Sequence, residues 1–466
     1  MLKKVLATAV LTSLLITSLT GCGGISPTSS KPESTGSKTV ITINNWPGDE
    51  APEKKALYEN YKTEFEKKNP DIEIKGDSWS YDVNSFLPKA ASGQLPTMYE
   101  TFMTEPIKIV NAGYGRDVTE ILKKFGYDKE INPQYLELLK KDGKYWGIPY
   151  EGYVMGMVFN INLFKQAGLV DDKGVPIMPK TYDELAQTAV TIKEKTGKSG
   201  FYMPTVKNQG GWTFMNIAWS YGVNFMDEEN GKWVAKFNTP ECVQALQYVK
   251  DLKWKYKVLP SDNLGGMDEF VQKFSVDQVA MGFGSPDQTK AAINDYSMDR
   301  NNIAIGRVPA GPKGREAQMG GVVKMFSPTA TDKQIEACIK WLEHIGFTPK
   351  VNDEVKSKWE SDYKMANGKN EVVGCEHIQV WINEDRKVAQ EEVRKPYENV
   401  DLNMFKDYSL TDGIKYNPEE PMCTQDLYKI LDSAVQAVVT DENANVEEIV
   451  KNAANDFQVN YLDRVE

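Results

Sequence analysis

Residues 141–169 read KDGKYWGIPYEGYVMGMVFNINLFKQAGL. Tyr145, Trp146, Tyr150 and Tyr153 crowd around Glu151, and the chain then runs through the apolar residues 154–159 to a short polar break. The apolar half has the length and composition of one buried strand, so its Met and Phe need no further role. The aromatic half, with one carboxylate between tyrosines, has two readings: a core strand rich in rings, or the lining of a site. The flanking sequence decides between them.

Upstream, strand-like and helix-like segments alternate. "TVITINNW" has a two-residue period and stops at Trp46-Pro47-Gly48. The next segment places Leu57, Tyr61 and Phe65 at helical spacing and ends at Asn69-Pro70. "DIEIKGDSW" reads as a second strand, "VNSFLPKAASG" as a short helix ended by Gly93, and "LPTMYETF" as a third strand. This β-α-β-α-β order predicts an α/β sheet with helices on its faces. Downstream, Thr181 with Glu184 three residues on opens a helix that closes at Gly197, and Asn230-Gly231 marks a hairpin. A strand over 279–283 leads through Gly-Ser-Pro into another helix, and the end of the chain is mostly helical.

A chain of 466 residues exceeds one ordinary core, so two or more lobes are expected. The formal charge of -11 argues against nucleic acid, which rewards a basic face. The N-terminus "MLKKVLATAVLTSLLITSLTGCGG" has a basic start, an apolar run and a small-residue end, the layout of a signal peptide over 1–21. Its Thr and Ser, and its length, suit a bilayer span of about 20 apolar residues poorly. Leu19-Thr20-Gly21-Cys22 resembles a bacterial lipobox, which implies lipidation of Cys22, and the Gly/Ser/Pro/Thr-rich residues up to 38 read as a tether. Cys242, Cys338, Cys375 and Cys423 have no CxxC spacing, and buried thiols are the reading favoured over a Cys375–Cys423 bridge. With only His344 and His377, a histidine metal site or triad has little material.

Eight blocks in order carry a family resemblance. They run from "NNW" and "NSFLPKAASGQLPTMYET" through "AGYGRDVTEIL", the opening stretch and "PKTYDELAQTAVTIKEKTG". "NTPECVQALQYVKDL", "FVQKFSVDQVAMGFGSP" and "RVPAGPKGREAQMGGVVKMFSPTATDKQIEACIKWLEHI" complete them. The set resembles the family 1 extracellular solute-binding proteins of ABC transporters, the carbohydrate-type lipoproteins similar to the maltose-binding protein. It covers about residues 39–344, with Thr97 where the family commonly has Asp. The resemblance implies an α/β periplasmic-binding-protein fold, two-lobed, with an interlobe cleft and hinge crossings. The N-terminal lobe would take 39–150 plus about 309–348, and the C-terminal lobe 151–308 plus about 349–466. "GIPYEG" would be a crossing, with Glu151 facing the cleft.

A sugar cleft needs aromatic faces for the C–H patches of the ring and a few polar groups for its hydroxyls. Trp46 at the end of the first strand, and Trp79 and Tyr81 past the second, meet the first need, each against a plain core reading. Glu100 and Thr101 end the third strand, and Tyr150 and Glu151 occupy the crossing. Trp212 follows Gly210-Gly211, which would let backbone approach a ligand, and Ser285 and Asp287 follow the strand before the Gly-Ser-Pro turn. Trp219 and Trp233 read as structural.

Other chemistry is weaker. Ser285 lacks the G-x-S-x-G frame, "GYGRDV" lacks the third glycine of a dinucleotide loop, and "DEENGKW" lacks the EF-hand register. No cofactor or metal is expected, and no catalytic residue. The expectation is a monomeric, lipid-anchored receptor on the extracytoplasmic face of the cell membrane. Its partners would be a carbohydrate and the transmembrane subunits of an ABC permease. The alternatives are a glycoside-processing enzyme, for which no poised pair of carboxylates is evident, and the same fold binding a peptide, polyamine or other non-sugar solute.

Overall fold

The computed structural model describes residues 38–465 apart from 84, 376–378 and 411. The signal-peptide, Cys22 and tether assignments lie outside the described residues.

The elements that position the site begin with β1 (Thr39–Ile43), α1 (Pro52–Lys68), β2 (Ile72–Gly76) and β3 (Met98–Phe102). They continue with β4 (Ile148–Val154), β5 (Gly156–Asn160), α2 (Gln209–Tyr221), β6 (Met281–Gly284), α3 (Pro286–Asn294) and β7 (Ile303–Arg307). Then come β8 (Glu316–Phe326), α4 (Asp332–His344), α5 (Asp353–Gly368), α6 (Glu384–Arg394), β9 (Lys415–Pro418) and α7 (Thr424–Thr440).

One sheet has the order β9-β8-β3-β1-β2, with β4 also paired to β8. β1 is parallel to β2 and to β3, whereas β8 runs antiparallel to β3 and β4. The second sheet is β6-β5-β7, antiparallel throughout. Strand periodicity explains the burial of the first sheet on both faces. In β3, Met98 enters a cluster with Ile41, Phe65 and Trp341, while Tyr99 enters a larger one that runs through Phe159 and Phe214 to Val435. All five residues of β5 are buried.

The opening stretch therefore holds two strands. The chain leaves the first sheet after Val154 and joins the second at Gly156, so the change of sheet falls at Met155, beyond "GIPYEG". The reason is close backbone packing: a Cβ at Gly156 would lie 2.7 Å from Gly306 O and 2.8 Å from the Tyr408 ring. The Tyr408 hydroxyl donates to Val154 O at 2.8 Å, securing the last residue of β4.

The capping signals have local causes. Thr181 Oγ1 accepts from Glu184 N at 3.1 Å, and Gly197 closes that helix at φ +71°. Such a cap contributes about 1 kcal/mol. Asn230-Gly231 turns a hairpin between Met226–Glu229 and Lys232–Ala235. Cys242 and Cys338 are buried thiols, and Cys375 and Cys423 are not joined in a disulfide. Among the described residues no helix is long and apolar enough to cross a membrane.

Candidate functional site

The parallel strands β1, β2 and β3 end at one edge of the first sheet, where open α/β sheets place their ligands. A hollow of about 410 Å³ lies there, bordered by Trp46, Tyr81, Glu100, Thr101 and Phe102. β1 stops at Ile43, so Trp46 sits on the loop beyond it; Asn45 N and Trp46 N donate to Trp79 O and Asp77 O, tying that loop to the one after β2.

Trp46 is only 8% exposed, stacks 5.7 Å from Trp341 and donates its indole N–H to Glu59 at 2.9 Å. It is a core residue whose edge reaches the hollow. Tyr81 donates to the buried Glu105 at 2.8 Å. Trp79 does not border the hollow; its ring packs 6.5 Å from Phe86, with Lys89 Nζ 4.9 Å above it.

Glu100 is held on both oxygens. Asn45 Nδ2 donates to Oε1 at 3.0 Å, and Lys324 Nζ lies 2.6 Å from Oε2. Lys324 is opposite Glu100 in the β8–β3 register and is buried. Its ammonium also sits 4.1 Å from the centroid of Tyr150, whose ring packs 4.9 Å from Phe347. Burial, with Tyr58, Glu151 and Glu100 nearby, keeps the Tyr150 hydroxyl protonated well above its usual range. Glu151 itself is exposed. Asn45 Oδ1 is buried with no hydrogen-bond partner among the described residues, whereas the Thr101 hydroxyl is engaged by that of Tyr81.

A second group forms around Tyr153, whose hydroxyl accepts the Trp212 indole N–H at 3.0 Å. The rings meet edge-on at 5.9 Å, and burial raises the Tyr153 hydroxyl strongly, Glu419 adding to it and Asp287 more weakly. Glu419 accepts from the Tyr428 hydroxyl at 2.8 Å, and burial pushes its carboxyl up to about 7.

Two expectations meet different physics. Gly210 and Gly211 lie inside α2, and a Cβ on Gly211 would stand 2.2 Å from Tyr428 O. They admit α7 to α2 rather than a ligand to the backbone, and Gly211 N donates to Asp432 at 2.7 Å. Ser285 is 4% exposed and caps α3, accepting from Asp287 N at 3.3 Å while Gln288 closes a capping box.

Sequence reasoning missed Lys324, Phe102 and Glu419. A lysine inside the apolar run "GGVVKMF" was a readable signal, because a charge in a buried strand requires a partner. Phe102 is 43% exposed at the mouth of the hollow, a ring that nothing in a strand pattern marks. A larger space of about 790 Å³ lies by Lys141, Trp233 and Asp463, away from every expected site residue. Among the described residues no group of His, Cys, Asp or Glu is arranged to hold a metal ion.

This geometry has relatives. An arabinooligosaccharide-binding protein of Bacillus subtilis is 26% identical over 246 residues, covering 52% of this chain and 53% of that protein. The match thus spans about half the length of that relative. A diacetylchitobiose-binding protein of Streptomyces coelicolor is 21% identical, covering 53% of this chain and 56% of its own. The maltose-bound MalE3 of T. maritima superposes with a TM-score of 0.67 at 19% identity, over 90% of this chain and 99% of its own. The GacH receptor of Streptomyces glaucescens GLA.O, solved unliganded and with acarbose, gives 0.65 at 19%, over 92% and 100%. These likenesses show the two-lobed α/β fold. Residues 48–345 match the bacterial extracellular solute-binding protein family. The chain belongs to that family, whose members are receptors outside the cytoplasm rather than enzymes.

Proposed function

We propose that the protein is a lipid-anchored receptor that binds a sugar or oligosaccharide between its lobes and delivers it to an ABC importer. The observation that carries this reading is the hollow at the ends of β1–β3. There an exposed ring, Phe102, stands beside a carboxylate, Glu100, whose orientation is already fixed. Aromatic faces and oriented acceptors are what pyranose C–H and O–H groups require.

Tyr150 and Glu151, on β4 beside Lys324, line the floor next to the first side in this reading, Tyr153, Trp212 and Asp287 form the opposite side, and hinge closure brings the two sides together on the solute. Trp46, Tyr81 and Thr101 shape the first side, Ser285 acts through α3, and Trp79 supports the loop after β2. The names of the relatives, which bind arabinooligosaccharide and diacetylchitobiose, agree with an oligosaccharide. Cys22 carries the anchor, and the receptor works as a monomer beside its permease.

The test is calorimetric titration of the mature protein with neutral arabino-, chito- and malto-oligosaccharides. A micromolar or tighter complex, about -8 kcal/mol or better, is expected for at least one of them. Absence of binding across the panel overturns the reading. Mass spectrometry of the membrane fraction, with Cys22→Ala as control, tests the anchor.

A further inference from the structure

Trp212 and Tyr153 belong to a closed ring of hydrogen bonds that reaches into the core. The Trp212 indole N–H donates to the Tyr153 hydroxyl at 3.0 Å. Tyr153 in turn donates to Glu419, and the two meet over Gly320 of β8, where a Cβ would stand 2.6 Å from Tyr153 Oη and 2.8 Å from Glu419 Oε2. Glu419 Oε1 accepts from the Tyr428 hydroxyl at 2.8 Å, and Tyr428 accepts from Gln318 Nε2 at 2.7 Å. Gln318 N then donates at 2.7 Å to Asn216 Oδ1, one turn beyond Trp212 in α2. Tyr428 and Gln318 are fully buried, whereas Tyr153 and Trp212 are half-buried. The ring is anchored inside and turns its two aromatic members outward.

Chemistry sets the direction of these bonds. An indole N–H only donates, so the Tyr153 oxygen accepts from it and the Tyr153 proton turns to Glu419. An ionised carboxylate only accepts, and it takes the protons of Tyr153 and Tyr428 on its two oxygens. A protonated Glu419 brings a third proton to the same junction. One of the two tyrosine bonds then has to open, because one hydroxyl proton cannot face another. Two influences therefore oppose each other at Glu419: lost hydration favours the acid, and the donated protons favour the carboxylate. Glu105 also faces it and adds to the pressure toward the acid, while Lys108 meets Glu105 at 3.8 Å. Glu316 lies at the hollow beside Glu419 and is paired with Lys415 at 3.1 Å. Glu420, next in the chain, is bound instead by the Trp219 indole.

We infer that Glu419 is a positioning residue for the solute: ionised, it fixes Tyr153, and through it the Trp212 indole, as the opposite side of the cleft, and its protonation releases them. This rests on the sugar-receptor reading and adds to it a regulation of the same site by pH. Binding favours the ionised form, so affinity is full above about pH 7 and falls as the pH drops through that value. The solute meets a fixed ring and a fixed hydroxyl oxygen only while the carboxylate holds both tyrosine protons.

The experiment titrates the neutral arabino-, chito- and malto-oligosaccharides into the wild type, Glu419→Gln and Glu420→Gln between pH 5.5 and pH 8.5. The wild type should bind about fivefold more weakly at the acid end, the scale of one hydrogen bond. In Glu419→Gln the amide still accepts from Tyr428 but turns an N–H toward Tyr153, so affinity should stay flat at the acid-end value. Glu420→Gln should keep the wild-type profile. In the unliganded wild type the indole N–H resonance of Trp212, assigned through Trp212→Phe, should move with pH, and in Glu419→Gln it should not. A flat wild-type profile, a profile kept by Glu419→Gln or lost in Glu420→Gln, or an indole resonance that ignores pH overturns the inference and leaves the receptor reading intact. No binding at any pH overturns both. Where Glu419→Gln fails to fold, Tyr153→Phe takes its place, with the same flat profile expected.

Discussion

Lys324 and Glu100 face each other across β8 and β3 at 2.6 Å, with the Tyr150 ring beneath the ammonium. One buried lysine thereby fixes the acceptor of one strand and the ring of another. Removing it leaves a half-buried carboxylate without its counter-charge. Lys324→Met should destabilise the protein by about 3 kcal/mol, the scale for breaking a buried pair from one side. Adding Glu100→Leu should restore all but about 1 kcal/mol. Urea unfolding of the single and double variants checks this, and full recovery by the double with no sugar binding would assign the pair to the site.

Phe102 tests the first side of the cleft without disturbing the core. It is 43% exposed and touches Tyr81 edge-on at 5.6 Å. Phe102→Ala should cost under about 1 kcal/mol of stability, since exposed substitutions are mild. Its affinity for the bound oligosaccharide should fall tenfold or more by titration.

Ser285 separates capping from ligand contact. Ser285→Ala should lower stability by about 1 kcal/mol through loss of the α3 cap. If the hydroxyl serves only the helix, affinity stays within about twofold; a larger fall in titration would return Ser285 to the ligand contacts.

Glu419 gives a pH dependence of known sign. Its folded value is raised from 4.5 to about 7 by burial, so its contribution to stability is full below about 4.5 and is lost as pH rises through about 7. Glu419→Gln stays neutral and still accepts from Tyr428. The melting temperature of the variant, minus that of the wild type, should therefore climb from pH 5 to pH 8. A flat difference over that range would mean that Glu419 is not shifted.

The strands and caps were legible because their signals are local. Alternation in "TVITI", the Thr181 cap and the Asn230-Gly231 turn each depend on neighbours within a few residues, and the fold follows from their order. The site was legible only in part. Glu100 and Tyr81 follow from strand ends, whereas the roles of Gly211 and Ser285 depend on what lies across from them. Gly211 packs on Tyr428, 217 positions later in the chain, and no local pattern records that contact.

β8 has a consequence for how the chain comes together. Its eleven residues hold β3, β4 and β9, which begin at residues 98, 148 and 415. A nascent chain that ends before residue 316 therefore has β1, β2 and β3 with an open edge and no partner to seal it. Contacts so distant in sequence assemble slowly. The sheet that carries the hollow is thus completed late, a delay that keeps an exported polypeptide pliable until most of it has been made.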